Sequence, residues 1–147
     1  MIGSGAEHEE HAETVGRLLA ERGCTVVTGG RGEVMAAASR GAKRAGGTTI
    51  GVLPGESTAA ANEWIDHAVA TGTGHARNLG VVASSDATIA VGGSWGTLTE
   101  IGFAGILGRP VVILEPGWRI EGVPRAGTPE EAVDAIIAAL STPERPK

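Results

Sequence analysis

Short apolar runs alternate along this chain with longer Ala-rich stretches that have helical periodicity. The apolar runs contain almost no charged residue, which is typical of parallel strands that are buried on both faces. They occupy residues 24–28, 48–53, 87–91 and 111–115. The helical stretches occupy residues 7–23, 33–47, 98–108 and 128–140. Strands that alternate with helices predict an α/β fold, a three-layer sandwich with a mostly parallel sheet and helices on both faces.

The helix at 128–140 carries the clearest start signals in the chain. Thr128 is a suitable N-cap, Pro129 fits the first helical position, and Glu131 completes a capping box. Its predicted inner face consists of Ala132, Val133, Ile136, Ile137 and Leu140. We expect the chain beyond this helix, residues 141–147, to fray.

Two segments of the predicted sheet are less regular. Only Met1 and Ile2 precede the first glycine turn, so we expect that the first strand is short or that the chain lacks its natural start. The segment WIDHAVA at 64–70 is interpreted as an edge strand. A length of 147 residues is typical of one domain, so residues 1–147 are predicted to form a single domain.

Composition narrows the classes of partner. A net charge of −5 and few aromatic residues (one Phe, three Trp, no Tyr) disfavour a nucleic-acid surface, which needs basic patches and stacking rings. No apolar run is long enough to span a bilayer and no signal peptide is recognisable, so we expect a cytoplasmic protein without a membrane partner. No metal site is predicted, because His8 and His11 fit a solvated, acidic helix face.

Four segments rich in Gly, Ser and Thr follow predicted strands. They are TGGRGE at 28–33, LPGEST at 53–58, TGTGHARN at 71–78 and GGSWGT at 92–97. Because ligands of parallel α/β sheets bind beyond the carboxyl ends of the strands, we expect these segments to converge on one site. Small residues let backbone N–H groups approach an anion, and a helix start adds a partial positive charge. The pattern therefore favours a ligand that carries phosphate or a similar anion.

Other nucleotide and hydrolase chemistries fit the sequence poorly. The chain has no G-x-x-x-x-G-K-[ST] motif of a P-loop NTPase and no G-x-S-x-G elbow of a serine hydrolase. A nicotinamide enzyme is an alternative, in which Glu115 at the end of a predicted strand would bind a ribose.

Three charged residues are candidates for the chemistry. Arg77 and Arg31 lie in glycine loops, and either guanidinium group could donate two hydrogen bonds to phosphate or ribose oxygens, although the case for Arg31 is weaker. A surface salt bridge would also explain either residue. Glu100 allows two interpretations. In one, Thr97 caps the helix and Glu100 bonds back to the Thr97 N–H as a capping box. In the other, the Glu100 carboxylate faces the ligand, where it stabilises positive charge on a sugar or activates water.

The segment GGSWGTLTE at 92–100 resembles the P-G-G-x-G-T-x-x-E signature of the LOG family, long labelled "possible lysine decarboxylase". Gly93 matches its first glycine, and Gly96, Thr97 and Glu100 match its G-T-x-x-E. The segment 28–54 resembles the family's first glycine motif with the helix and strand that follow it. TGTGHARN resembles the segment that carries the family's arginine, which places Arg77 there. The resemblance covers nearly the whole chain and extends to the small bacterial branch that is similar to the molybdenum cofactor carrier protein.

The resemblance implies a Rossmann-like fold, a homodimer or higher homo-oligomer, and no cofactor. Characterised members are phosphoribohydrolases that cleave cytokinin nucleoside 5′-monophosphates to base and ribose 5-phosphate, so Arg77 and Glu100 would act at the ribose. The glycine loops and their neighbours would contact the phosphorylated ligand. These residues are Gly29, Gly30, Arg31, Asn78, Gly92, Gly93, Ser94, Trp95, Gly96 and Thr97.

The chain departs from the signature around its glycines. Gly92 replaces the proline, Ser94 replaces the second glycine, and Trp95 occupies the variable position. Two functions stay open: hydrolysis of a nucleoside monophosphate, or binding without chemistry of a phosphorylated pterin-type ligand, as in the carrier branch. Lysine decarboxylation is excluded, because it needs pyridoxal phosphate on a lysine, and the only lysines, Lys43 and Lys147, lie on a helix face and in the tail.

Overall fold

The computed structural model describes residues 1–142 of the chain. The strands are β1 (Ile2–Ser4), β2 (Val26–Thr28), β3 (Thr49–Leu53), β4 (His67–Ala70), β5 (Thr88–Gly92), β6 (Val111–Leu114) and β7 (Arg125–Ala126). The helices are α1 (Glu9–Glu21), α2 (Glu33–Arg44), α3 (Arg77–Ala83), α4 (Trp95–Ile106) and α5 (Pro129–Ser141). The predicted fraying of the tail concerns mainly residues 143–147, which lie outside the described residues.

The strand pairs are parallel throughout the described chain, as the apolar runs predicted. Two ladders are present, in the orders β2-β3-β4 and β1-β5-β6-β7. They meet where the backbone nitrogen of Met1 donates a hydrogen bond of 2.7 Å to the carbonyl oxygen of Val27 in β2. The strands therefore follow the order β4-β3-β2-β1-β5-β6-β7. Because β4 pairs only with β3, the prediction of an edge strand at 64–70 is confirmed.

Helices cover both faces of the strands. One hydrophobic core includes Val15 of α1, Val34 of α2 and Val133 of α5. The other includes Val81 of α3 and Ile101 of α4. Neighbouring residues of a strand point to opposite faces, so the short apolar strands supply both cores at once. The predicted three-layer, Rossmann-like architecture is confirmed.

The helix starts agree with the sequence prediction for α5 but not for α4. The Thr128 hydroxyl accepts a hydrogen bond from Glu131 N at 3.2 Å, which confirms the cap of α5. The predicted capping box does not form, because Gly127 N rather than Thr128 N donates to the Glu131 carboxylate, at 2.8 Å. Leu140 is 43% exposed, so the predicted inner face ends one turn earlier. α4 begins at Trp95, three residues before its predicted start.

Within residues 1–142, the structure contains neither a membrane-spanning helix nor a metal-binding cluster. The helices there are too short or too polar to cross a membrane. No group of three or more His, Cys, Asp or Glu side chains in this part of the chain is placed to hold a metal ion.

The strand order creates a switch point beside β1. From β1 the chain winds outward through β2, β3 and β4, and then returns to β5 on the other side of β1. In sheets wound in this way, ligands bind in the crevice at the carboxyl ends of the strands that flank the switch point. That crevice lies between Ser4, where β1 ends, and Gly92, where β5 ends. The start of α4 lies directly beside it.

Candidate functional site

The first turn of α4 carries backbone N–H groups that are free to bind an anion. Ser94 is the N-cap, and its side chain makes no capping hydrogen bond. The first intrahelical bond runs from Leu98 N to Ser94 O at 3.1 Å. The N–H groups of Trp95, Gly96 and Thr97 therefore have no partner within the helix. Such groups and the helix dipole together attract a negative charge.

Two glycines turn the chain from β5 into α4. Gly92 and Gly93 have φ angles of 63° and 138°, which residues with a side chain rarely adopt. A Cβ on Gly92 would lie 2.6 Å from the carbonyl oxygen of Ser4, and one on Gly93 would lie 2.8 Å from the Cβ of Thr97. The backbone therefore requires glycine at both positions, whatever they contribute to ligand binding.

Glu100 lies in the second turn of α4 and is buried, with 7% of its surface exposed. Burial raises the pKa of its carboxyl to about 7, and the positive charges of Arg77 and of the Met1 amino group oppose this increase. No hydrogen bond from the described residues stabilises the carboxylate. The capping-box interpretation is wrong, because Thr97 lies inside the helix and Ser94 occupies the cap. Glu100 is a buried carboxylate rather than part of a helix start.

Arg77, the first residue of α3, is the cation whose charge acts on Glu100. Its Nη1 donates a hydrogen bond of 3.3 Å to the carbonyl oxygen of Val52 in β3. Its Nε is buried without a hydrogen-bond partner among residues 1–142. Burial lowers the pKa of Arg77, and the charge of Glu100 opposes that decrease. The interpretation of Arg77 as a surface salt bridge is wrong, because its guanidinium group is partly buried and its nearest polar partner is a backbone carbonyl.

Gly29 makes room for the guanidinium group of Arg77. A Cβ on Gly29 would lie 1.7 Å from Arg77 Nη1 and 2.6 Å from Met35 Sδ. Gly30 continues the turn with a φ angle of 73°. Arg31 follows as an exposed residue, and its charge lowers the pKa of Arg77 further. The loop after β2 therefore lies on the Arg77 side of the crevice.

Asn78 connects α3 to the first turn of α4. Its side chain is buried, and Nδ2 lies 3.5 Å from Gly96 O and 3.3 Å from Thr99 Oγ1 as a hydrogen-bond donor. Thr99 Oγ1 in turn donates to Gly96 O at 2.7 Å. These contacts position the free N–H groups of α4. Ligand contact by Asn78 stays a prediction, as it does for the glycines, Ser94, Trp95 and Thr97.

Two further residues at this edge were not expected from the sequence. His8 belongs to a 3-10 turn (Ala6–His8) that follows β1, and its side chain is only 12% exposed. A Cβ on Gly92 would lie 2.2 Å from His8 Cδ2, so the imidazole packs on the turn into α4. The interpretation of His8 as part of a solvated helix face is therefore wrong. No periodicity could have revealed this, because the contact joins the ends of two strands, β1 and β5, that are neighbours in the sheet but far apart in the sequence.

Trp118 is the second residue that the sequence did not indicate. Its Nε1 donates a hydrogen bond of 3.3 Å to Ser94 O, and its ring centroid lies 5.6 Å from that of Trp95. The available signal was weak: the segment PGW at 116–118 follows β6 and so belongs to the same edge of the sheet. Trp118, His8 and Gly92 help to line a cavity of about 470 Å³ beside the start of α4.

A second cavity, of about 440 Å³, lies at the opposite edge of the sheet. It is bordered mainly by apolar residues that precede or begin the strands, among them Cys24, Val26 and Ala87. We place the candidate site at the carboxyl edge, because the free helix N–H groups, Arg77 and Glu100 converge there. Glu115, which a nicotinamide enzyme would use at the ribose, instead forms a 2.6 Å ion pair with Arg125.

Comparison with known proteins assigns a family. The model of the SLOG cluster4 family matches residues 1–144. The chain belongs to this family. The resemblance to LOG proteins is confirmed by a curated relative, the cytokinin riboside 5′-monophosphate phosphoribohydrolase of Mycobacterium tuberculosis, which is 35% identical over 80% of this chain and 68% of its own. An uncharacterized protein of Archaeoglobus fulgidus is 44% identical over 95% of this chain and 93% of its own.

Solved structures similar to this SLOG cluster4 chain include molybdenum cofactor proteins. The molybdenum cofactor binding protein of Rippkaea orientalis is 34% identical, with a TM-score of 0.89 over 95% of this chain and 94% of that one. The molybdenum cofactor carrier protein of Chlamydomonas reinhardtii is also 34% identical, with a TM-score of 0.85 over 96% of this chain and 98% of that one. Relatives of the SLOG cluster4 chain therefore include both an enzyme and ligand-binding proteins.

Proposed function

We propose that this SLOG cluster4 protein binds a phosphorylated nucleotide-type ligand at the carboxyl edge of its sheet and hydrolyses the N-glycosidic bond of a nucleoside 5′-monophosphate. The observation that supports this most is Glu100: a buried carboxylate without a hydrogen-bond partner among residues 1–142, beside the charge of Arg77. A folded protein rarely retains such a group without a function, because burial of an unpaired carboxylate is unfavourable.

The phosphate position follows from the first turn of α4. The N–H groups of Trp95, Gly96 and Thr97 would donate to the phosphate oxygens, and the backbone freedom of Gly93 would allow close approach. Arg77 would hold ribose oxygens with its planar, multiply donating guanidinium group.

The proposed reaction places Glu100 at the ribose carbon C1′. The bond between C1′ and the base breaks, and the base leaves with the electron pair and takes up a proton from solvent. Positive charge develops on the ribose, and the ionised Glu100 carboxylate stabilises it. A water molecule then forms the new C1′–O bond and gives its proton to the carboxylate, which later returns it to solvent. The products are the free base and ribose 5-phosphate.

The pH dependence of this reaction follows from the same carboxyl group. Glu100 acts in its ionised form, and burial raises its pKa to about 7. We therefore expect kcat to rise as the pH increases from 6 to 8 and then to level off. A rate that falls over this range would mean that Glu100 does not act as the ionised group.

Incubation with AMP tests the reaction directly. We expect release of adenine and ribose 5-phosphate, measured by chromatography, and at least a hundred-fold slower release by Glu100→Gln, on the order of the effect of a general base. Glu63→Gln is the matched control, because Glu63 is exposed and lies between β3 and β4, outside the helices that carry Glu100 and Arg77. Equal rates for Glu100→Gln and the wild type would refute the role of Glu100.

Binding without chemistry is the second candidate function. It is favoured by the likeness to the two molybdenum cofactor proteins, which cover nearly the whole of both chains. A carrier would bind a phosphorylated pterin through α4 and release no base from AMP. Its affinity for the ligand would also be the same in Glu100→Gln, whereas the hydrolase requires the carboxylate.

A further inference from the structure

We infer that Trp95 and Trp118 form a ring-binding subsite, which takes a planar nitrogen heterocycle joined to the phosphate at the start of α4. This inference rests on the phosphate position of the proposed function. It does not rest on hydrolysis. The two tryptophans are called the tryptophan pair below.

The tryptophan pair combines one anchored ring with one accessible ring. Trp118 is partly buried, and its Nε1 donates to Ser94 O at 3.3 Å, which ties it to the N-cap of α4. Trp95 is the first residue of α4 and is 76% exposed. The ring centroids are 5.6 Å apart with an interplanar angle of 46°. Such a pair presents aromatic surface next to the three free N–H groups of the helix.

The space beside Trp118, the anchored ring of the tryptophan pair, is large enough for a heterocycle. The cavity of about 470 Å³ is lined by Trp118, by Gly92 and Gly93, and by His8 and Glu7. Ligand pockets in proteins commonly measure about 300–1,000 Å³. The glycines bring backbone close to the ligand, while the imidazole and carboxylate could bond the polar edge of a ring. The lining therefore suits a flat ring with nitrogen atoms better than an aliphatic group.

The subsite and the pair Arg77–Glu100 lie on different sides of the phosphate position. Along the carboxyl edge, Arg77 contacts the loop after β2 and the carbonyl of Val52 in β3. α4 starts after β5, and Trp118 follows β6, which lies beyond β5 in the strand order. A ring on the tryptophan pair is therefore attached to the phosphate from the side opposite Arg77. A pterin phosphate or a dinucleotide has such a ring, whereas a lone AMP with its ribose at Glu100 does not.

The experiment compares ring-bearing probes with ring-free controls by isothermal titration calorimetry. Diadenosine diphosphate is compared with inorganic pyrophosphate, which carries no ring, and neopterin monophosphate is compared with inorganic phosphate. The variants are Trp95→Ala, Trp95→Phe and Trp118→Ala. Alanine suits the first position of a helix, so Trp95→Ala should fold normally. Trp64→Phe is the matched control, since Trp64 lies just before β4, away from the carboxyl edge.

We expect Trp95→Ala and Trp118→Ala to weaken binding of at least one ring-bearing probe about ten-fold, which is typical of one lost stacking contact. The ring-free control ligand of that probe should bind these variants with unchanged affinity. Trp95→Phe and Trp64→Phe should keep most of the affinity for the ring-bearing probe. A response to diadenosine diphosphate alone indicates a dinucleotide-type ligand, and a response to neopterin monophosphate alone indicates a pterin.

Two results would overturn the subsite. In the first, neither ring-bearing probe binds the alanine variants more weakly than the wild type. In the second, each ring-free control loses as much affinity as its probe, which would mean that the tryptophans only shape the start of α4. The proposed reaction fails separately. If the same wild-type preparation releases no adenine from AMP, hydrolysis is refuted while the comparison of probe with control still decides the subsite.

Discussion

Replacing Glu100 by glutamine should remove a pH-dependent penalty from the fold as well as the proposed activity. Burial raises the pKa of Glu100 from 4.5 to about 7. At about 1.36 kcal/mol for each pKa unit, the ionised carboxylate destabilises the folded state by about 3 kcal/mol. That is a large part of the free energy of unfolding of a typical domain, about 5–15 kcal/mol.

The sign follows from proton binding in the two states. Below pH 4.5 the carboxyl is protonated in the folded and the unfolded chain, and the penalty is absent. Between pH 4.5 and 7 the unfolded chain loses the proton that the folded chain keeps, so stability falls as the pH rises. Above pH 7 both states are ionised and the full penalty remains. Glutamine stays neutral, so its variant lacks this dependence.

Urea unfolding of both proteins at several pH values measures the effect. The quantity to compare is the free energy of unfolding of Glu100→Gln minus that of the wild type. We expect this difference to increase by about 2 to 3 kcal/mol between pH 5 and pH 8.5, while any constant offset reflects the buried amide. For Glu63→Gln the difference should not follow this course, because that carboxylate is exposed. A difference for Glu100→Gln that does not change with pH would refute the assignment of Glu100 as a buried acid without a hydrogen-bond partner.

Three other substitutions separate the site from the scaffold. Gly29→Ala places a Cβ 1.7 Å from Arg77 Nη1 and so displaces the guanidinium group. We expect at least a ten-fold loss of AMP turnover in steady-state assays, because mispositioned catalytic groups slow a reaction by about this much or more. Turnover at the wild-type rate would contradict the proposed role of Arg77. Thr128→Ala removes the cap bond to Glu131 N and should lower the free energy of unfolding by about 1 kcal/mol in urea, with unchanged turnover; a loss of turnover would show that α5 influences the site. Ile106→Glu puts a charge on a residue of α4 that is 79% exposed, and should shift any homo-oligomer toward monomer in light scattering; an unchanged mass would exclude this part of α4 from a subunit contact.

The fold was predictable because its signals are local. Apolar runs such as 87–91 and 111–115 indicate buried strands, and Thr128 with Pro129 indicates the start of a helix. Each of these signals lies within a few consecutive residues. The start of α4 was placed too late, because Thr97 and Glu100 imitate a capping box in the sequence. In the structure, two left-handed glycines before Ser94 allow the helix to begin at Trp95. The position at which α4 begins therefore depends on how β5 packs against β1, and this packing cannot be read from any single segment of the sequence.

The sequence by itself determined the α/β class, the glycine loops at the strand ends and the resemblance that singled out Arg77 and Glu100. Only the tertiary structure decided that Glu100 is buried and interacts through its charge with Arg77, that His8 packs on Gly92, and that the ring of Trp118 lies beside that of Trp95. The physical reason is the range of the interactions. Periodicity and capping act between residues a few positions apart. Desolvation of a carboxyl and contact between two rings depend on segments that only the folded sheet brings together.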